Sequence, residues 1–179
     1  MCADAAALIK YLIERVGEEQ MKKIKIYLDT SVIGYLDQQD DPEKMNDTLK
    51  LWNTIEYGKY DTYLSETTLD EINECHESKK DILYKYLSQI TYNTINTNDE
   101  IIVLAGIIID EGILKKKSFD DCMHIASAIV ANCDIIVSWN FKHMVRVETI
   151  NGVRKVCFAN GYRIIDIYPP TLLIDKGDD

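Results

Sequence analysis

Short apolar runs recur along this chain with helix-like segments between them, and this alternation constrains the fold more than any other feature. Ile24–Leu28, Tyr60–Leu64 and Ile135–Val137 are brief, rich in β-branched or aromatic residues, and read as buried strands; Ile90–Ile95 is a shorter run of alternating character, and Arg163–Ile167 reads as a last strand stopped by Pro169-Pro170. Strands apolar on both faces need cover on both faces, which a parallel sheet with helical crossovers provides. Such crossovers are right-handed, so the expected architecture is a three-layer α/β sandwich, a parallel sheet with helices on both faces. In sheets of this kind ligands sit beyond the carboxyl ends of the strands, where the strand order reverses. The residues just after each strand are therefore the place to look for chemistry.

The connecting segments carry helix signals. Thr30 or Ser31 can cap a helix after the first strand, and Pro42 suits the first turn of another, which continues through Leu49, Trp52, Ile55 and Glu56 and stops near Gly58. Ser65 or Thr67 caps a helix through Leu69, Ile72 and Cys75, and a further helix covers Ile82–Leu87. Asn98 or Asp99 opens an apolar helix over Ile101–Ile109 that Gly112 closes, and Ser118 caps one from about Phe119 to Ala131. Residues 139–160 hold a loop and a last helix.

At 179 residues the chain suits one domain, taken here as 21–179. Residues 1–20 read as a separate amphipathic extension without the basic start and long apolar middle of a secretory signal. Met21 is the expected natural start, because Gly17-Glu18-Glu19-Gln20 resembles a translated ribosome-binding sequence; a true helix packed on the domain is the alternative. Cys2, Cys75, Cys122, Cys133 and Cys157 form no Cys-x-x-Cys pair, and their odd count fits free thiols in a reducing cytoplasm. No apolar run approaches the roughly 20 residues of a membrane span.

Four segments carry possible chemistry. The first strand ends on Asp29-Thr30-Ser31, where Asp29 is either a helix cap or a site carboxylate. An aspartyl-nucleophile phosphatase would want a second Asp two positions on, where this chain has Ser31, and a receiver domain would want an acidic pair that is absent. Ser65–Ile72 follows the second strand and holds Asp70 and Glu71, either solvent-facing charges or site acids. Asp120-Asp121 opens a helix, where the macrodipole favours acids in any case, and is followed by His124-Ile125-Ala126-Ser127-Ala128. A histidine there is more often a satisfied core group than a ligand. Val137–His143 runs off the fourth strand into a loop with Asn140, which can hold a water or ligate weakly through its carbonyl. The net charge of −10 argues against nucleic-acid binding by bulk electrostatics. It does not exclude a nuclease whose acids are neutralised by bound metal. The lysine run Lys115-Lys116-Lys117 is either a solvated helix end or a phosphate contact.

These stretches, in this order, resemble the PIN domain, especially the VapC-like toxin ribonucleases: Leu28-Asp29-Thr30-Ser31-Val32-Ile33, Ser65–Ile72, Asp121-x-x-His124-Ile125-Ala126-Ser127-Ala128, and Val137–His143. The likeness spans roughly 23–145, and the tail from Asn160 to Pro169 looks like the end of one PIN subgroup. The resemblance implies an endoribonuclease dependent on Mg²⁺ or Mn²⁺, with Asp29, Glu71 and Asp121 as the metal-binding acids and Asp120 as an alternative for the third place. Many members have an acid where this chain has Asn140, which puts a second metal position in doubt. Thr30 or Ser31 would orient a water or phosphate oxygen, and Lys142 with the lysines at 115–117 would contact the RNA backbone. It further implies an RNA substrate, a cognate antitoxin, a homodimer and a cytoplasmic location. The chemistry agrees, since Mg²⁺ takes oxygen ligands and keeps several waters. The competing expectation is a catalytically weak PIN-like module that binds RNA or protein.

Overall fold

The computed structural model describes residues 23–174, so the reading of residues 1–20 falls outside the described residues. β1 (Lys25–Leu28) is followed by the short helix α1 (Thr30–Gly34) and then α2 (Pro42–Glu56). β2 (Asp61–Ser65) leads into α3 (Glu66–Asn73) and α4 (Glu77–Leu87), and β3 (Asn93–Ile95) into α5 (Asp99–Asp110) and α6 (Phe119–Val130). β4 (Ile135–Val137), α7 (Val147–Ala159) and β5 (Asp166–Tyr168) complete the order.

The five strands form one sheet, β3-β2-β1-β4-β5, and every pairing is parallel. The chain moves outward from β1 through β2 to β3, then returns to place β4 on the other side of β1. The order therefore reverses between β1 and β4, and the crevice at their carboxyl ends is the topological switch point.

Side chains alternate across the strands and build two cores. Tyr27 and Ile136 pack with α5, α6 and α7 on one face, while Ile26, Leu28, Leu64 and Val137 pack with α1, α2, α3 and α4 on the other. This is the three-layer sandwich expected from the apolar runs. α5 buries Ile101, Leu104, Ala105 and Ile108, a 3–4–7 spacing that places one stripe on the core. Each such aliphatic side chain contributes about 1.5–3 kcal/mol when withdrawn from water. α6 is buried along its whole middle, Cys122 to Ile129, where Ala126, Ser127 and Ala128 allow close approach to its neighbours.

Ser65 and Asn98 cap their helices as read from the sequence, whereas α1 is capped by Asp29 and not by Thr30 or Ser31, which lie inside it. Asp29, Asp41, Ser65 and Asn98 accept hydrogen bonds from the backbone of the helices they open. Ser118 stands before α6 but makes no side-chain cap hydrogen bond, because a 3-10 turn over Lys116–Ser118 feeds the chain into the helix. Gly112 follows α5 at φ +69°, a left-handed conformation that favours glycine.

Two strands start later than their apolar runs suggest. Ladder pairing of β3 begins at Asn93, because Ile90 and Tyr92 pack against the core without joining the sheet. β5 pairs from Asp166 to Tyr168, not from Arg163, and Ile164 is exposed. Cys122, Cys133 and Cys157 are buried free thiols, and burial pushes Cys122 and Cys133 up to about 12. Cys75 is only half-buried. Among the described residues no helix is long and apolar enough to cross a membrane.

Candidate active site at the switch point

Asp29 leaves the end of β1 and is 5% exposed. It both caps α1 and faces the crevice, so the two readings of this residue describe one group. Its Oδ2 accepts from the Ser31 hydroxyl at 2.6 Å and from the Ser138 hydroxyl at 2.5 Å. Those hydroxyls are themselves polarised: the Trp139 amide donates to Ser31 Oγ at 2.9 Å, and the Asn140 amide donates to Ser138 Oγ at 2.9 Å. Each hydroxyl receives a hydrogen bond from backbone and directs its own proton at the carboxylate. The turn after β4 thus fixes Asp29, the first residue beyond the neighbouring strand β1.

Glu71 comes from α3, whose N-terminus Ser65 caps directly after β2. Its Oε2 accepts from the Thr30 hydroxyl and lies 2.9 Å from His124 Nε2. It is therefore a paired, half-buried acid and not a free surface charge. His124 is 2% exposed, with Nδ1 at 2.6 Å from the Tyr27 hydroxyl and Nε2 at 3.8 Å from Asp29 Oδ1. Burial works against charge on this imidazole. The Tyr27 oxygen, the Glu71 hydrogen bond and the Asp29 carboxylate outweigh burial and hold His124 well above its ordinary 6.5. Burial likewise pushes Glu71 up, but the His124 imidazolium and the Thr30 hydroxyl leave it below its ordinary 4.5. When protonated, His124 donates from both ring nitrogens, to Tyr27 and to Glu71. The phenol of Tyr27 is fully buried and also meets Ser65 Oγ at 2.6 Å and Thr68 Oγ1 at 3.2 Å.

Asp121, in the first turn of α6, completes the acidic set. Asn140 Nδ2 donates to its Oδ1 at 2.8 Å, while Asn140 Oδ1 accepts from the His143 amide at 3.0 Å. Burial raises the Asp121 carboxyl and Asp29 adds to that rise, against the pull of His143 and the hydrogen bond from Ser118. Asp120 is exposed, which leaves Asp121 as the third acid.

The fold thus brings Asp29, Glu71, Asp121, Asn140, Thr30 and Ser31 to one crevice. Among the described residues no three His, Cys, Asp or Glu side chains are gathered closely enough to cage a metal ion. The donor chemistry nevertheless suits a hard cation, because Mg²⁺ takes one or two carboxylates and keeps its waters. His124 supplies positive charge among the acids.

Tyr27, His124 and Ser138 position the acids, and sequence reasoning did not count them in the site. Tyr27 and Ser138 each had a signal: a phenol in a buried strand needs a hydrogen-bond partner, and Ser138 is the first residue beyond β4. The lysines lie to one side. Lys115, Lys117 and Lys142 line a groove with His143 and Arg146, and Lys116 is exposed outside that lining.

No family model matches the chain, and no curated protein is similar to it. Among solved structures it is similar to a chain in the crystal structure of VapBC2 from Rickettsia felis bound to a DNA fragment from their promoter. The TM-score is 0.51 at 13% identity, covering 82% of this chain and 98% of that one. At that identity the likeness concerns the fold alone. The shared architecture is the parallel α/β sandwich that the resemblance to the PIN domain implies.

Proposed function

We infer that the protein is a metal-dependent endoribonuclease, the toxin of a toxin–antitoxin pair. The observation that carries this reading is the convergence of Asp29, Glu71 and Asp121, from three distant segments, at the switch point of a parallel sheet. Acids drawn from three segments to one crevice repel one another, a cost that His124 offsets in part and that a bound cation would offset further. The similarity to the fold of VapBC2 supports a toxin acting with an antitoxin.

Asp29, Glu71 and Asp121 would hold Mg²⁺ or Mn²⁺, which supplies Lewis-acid activation of a water nucleophile when bound. Ser31 and Ser138 orient the Asp29 carboxylate, and His124 with Thr30 orients Glu71. Asn140 keeps Asp121 directed into the crevice and adds no charge of its own. A single cation site is therefore favoured over two.

The second reading, a PIN-like module that binds RNA or protein without cutting, is favoured by the pairing of Glu71 with His124 and the hydrogen bond from the neutral Asn140 amide to Asp121, which already occupy these acids. Incubation of the purified protein with a mixed RNA pool separates the two. The nuclease reading expects cleavage with Mg²⁺ or Mn²⁺, loss of cleavage in EDTA, poor substitution by Zn²⁺, and no cleavage by a folded Asp29→Asn variant. Cleavage undiminished in EDTA, or by Asp29→Asn, would refute the metal mechanism. No cleavage under any metal leaves the binding module.

A further inference from the structure

Ser138, Trp139 and Asn140, directly after β4, reach both Asp29 and Asp121. The Trp139 amide donates to Ser31 Oγ and the Asn140 amide to Ser138 Oγ, each at 2.9 Å, and both hydroxyls donate to Asp29 Oδ2. With Oδ2 so engaged, Oδ1 keeps one long bond of 3.4 Å from the Ser31 amide and lies 3.8 Å from His124 Nε2. The Asn140 side chain meanwhile donates to Asp121 Oδ1 at 2.8 Å. Three consecutive residues thus orient two acids that come from distant segments.

The Trp139 side chain holds this turn. Its ring is 7% exposed and packs in the core between the sheet and α1–α4. Its Nε1 donates to Thr48 Oγ1, on α2, at 2.8 Å. Thr48 is fully buried and gives its own proton to the Lys44 carbonyl at 2.7 Å, so it presents a lone pair to the indole. The Tyr35 ring lies 5.8 Å from the indole, and Lys44 Nζ stands over it, 5.8 Å from the ring centroid. A three-residue turn has few restraints of its own. A large ring with a directed hydrogen bond in a close-packed core supplies them. Because the amides of 139 and 140 belong to adjoining planar peptide units, a shift of the ring moves both.

We propose that Trp139, through its bond to Thr48, is a positioning residue for the acidic crevice, fixing the 138–140 turn that orients Asp29 and Asp121 together. The proposal deepens the metal-dependent reading and rests on it for the choice of cation. Two measurements on the full chain test it, and neither uses cleavage. Exchange of the 139 and 140 amides is followed by NMR in EDTA. Binding of Mn²⁺ alone is followed by electron paramagnetic resonance of the free ion.

Thr48→Val keeps the shape of the side chain and removes the acceptor. Both amides are expected to exchange about tenfold faster, as for the loss of one buried hydrogen bond. Mn²⁺ is expected to bind about tenfold more weakly, the low end for losing a group that orients a metal ligand. Trp139→Phe, which keeps a ring without the donor, gives the same two changes. Thr48→Ser keeps the hydroxyl and behaves as wild type does. Ile108→Val, a truncation in the core on the other face of the sheet, lowers stability and moves neither readout. Unchanged exchange and Mn²⁺ affinity in Thr48→Val would overturn the proposal, as would equal effects from Ile108→Val. Faster exchange with undiminished Mn²⁺ affinity would also overturn it, since the acids would then keep their places without the anchor. Faster exchange in a chain whose wild type binds no Mn²⁺ sinks the metal reading and leaves Trp139 as the anchor of the turn.

Discussion

His124→Gln removes the positive charge lodged between Glu71 and Asp29. In wild type, Nε2 is 2.9 Å from Glu71 and Nδ1 is 2.6 Å from Tyr27. A hydrogen bond to a charged group contributes about 1.5–3 kcal/mol. The Glu71 side chain is 34% exposed, so its end of the interaction is discounted toward the roughly 0–1 kcal/mol of a surface pair. A glutamine amide can replace one of the two donations, and Tyr27 keeps Ser65 and Thr68. The expected net loss is about 1–2 kcal/mol near pH 6. The pH dependence has a definite sign. His124 is raised in the folded state, so its contribution is fully present below its ordinary 6.5 and is lost as pH rises through the folded value. Glu71 is lowered, so its contribution is present above its ordinary 4.5 and is lost as pH falls through the folded value. The pair is at full strength between these limits. Urea unfolding of both proteins in EDTA, at about pH 6 and about pH 9, measures the gap, with equal m values as the check on two-state behaviour. A gap that is the same at both pH values, or wider at the higher one, would refute the assignment of His124 as the internal counter-charge. Imidazolium and a divalent cation neutralise the same carboxylates, so Mg²⁺ is expected to restore more stability to the variant than to wild type.

Asn140→Asp replaces the donor to Asp121 with a second carboxylate, so metal-free stability at neutral pH should fall by about 1–2 kcal/mol and recover on acidification, while less Mg²⁺ is needed for cleavage. A metal titration of activity with unfolding in EDTA checks both, and unchanged metal dependence would show that this position is no ligand site. Gly152→Ala places a Cβ 2.8 Å from Ile113 Cγ1, so the roughly 1 kcal/mol of helix propensity gained in α7 is outweighed and Tm should drop. A higher Tm would mean that Ile113 yields freely.

Much of the fold was legible because burial imposes itself on composition. Ile26, Tyr27 and Leu28 are buried whichever way they face, so a covered parallel strand could be read from consecutive apolar residues. Pro42, Ser65, Asn98 and Gly112 act through local backbone chemistry that depends on near neighbours in the chain. The edges of β3 and β5 were less legible because pairing, not hydrophobicity, sets where a ladder starts. Ile90 and Ile165 serve the core without joining the sheet.

The carboxylates could be nominated from the sequence because each stands at a strand end or in the first or second turn of a helix. Which groups they pair with could not be read there. Tyr27 and His124 are separated by 97 residues, and Asp29 and Ser138 by 109. Whether Asp29 is a cap or a site acid, whether Glu71 faces solvent, and which of Asp120 and Asp121 turns inward all depended on the packing of α3 and α6 beside β1. The sequence alone determined the alternation that makes a parallel α/β sandwich and the places where acids stand. Only the tertiary structure decided that a buried imidazolium lies among them and that the lysines open a groove beside them, because a hydrogen bond between distant residues exists only once the sheet has brought their segments within about 3 Å.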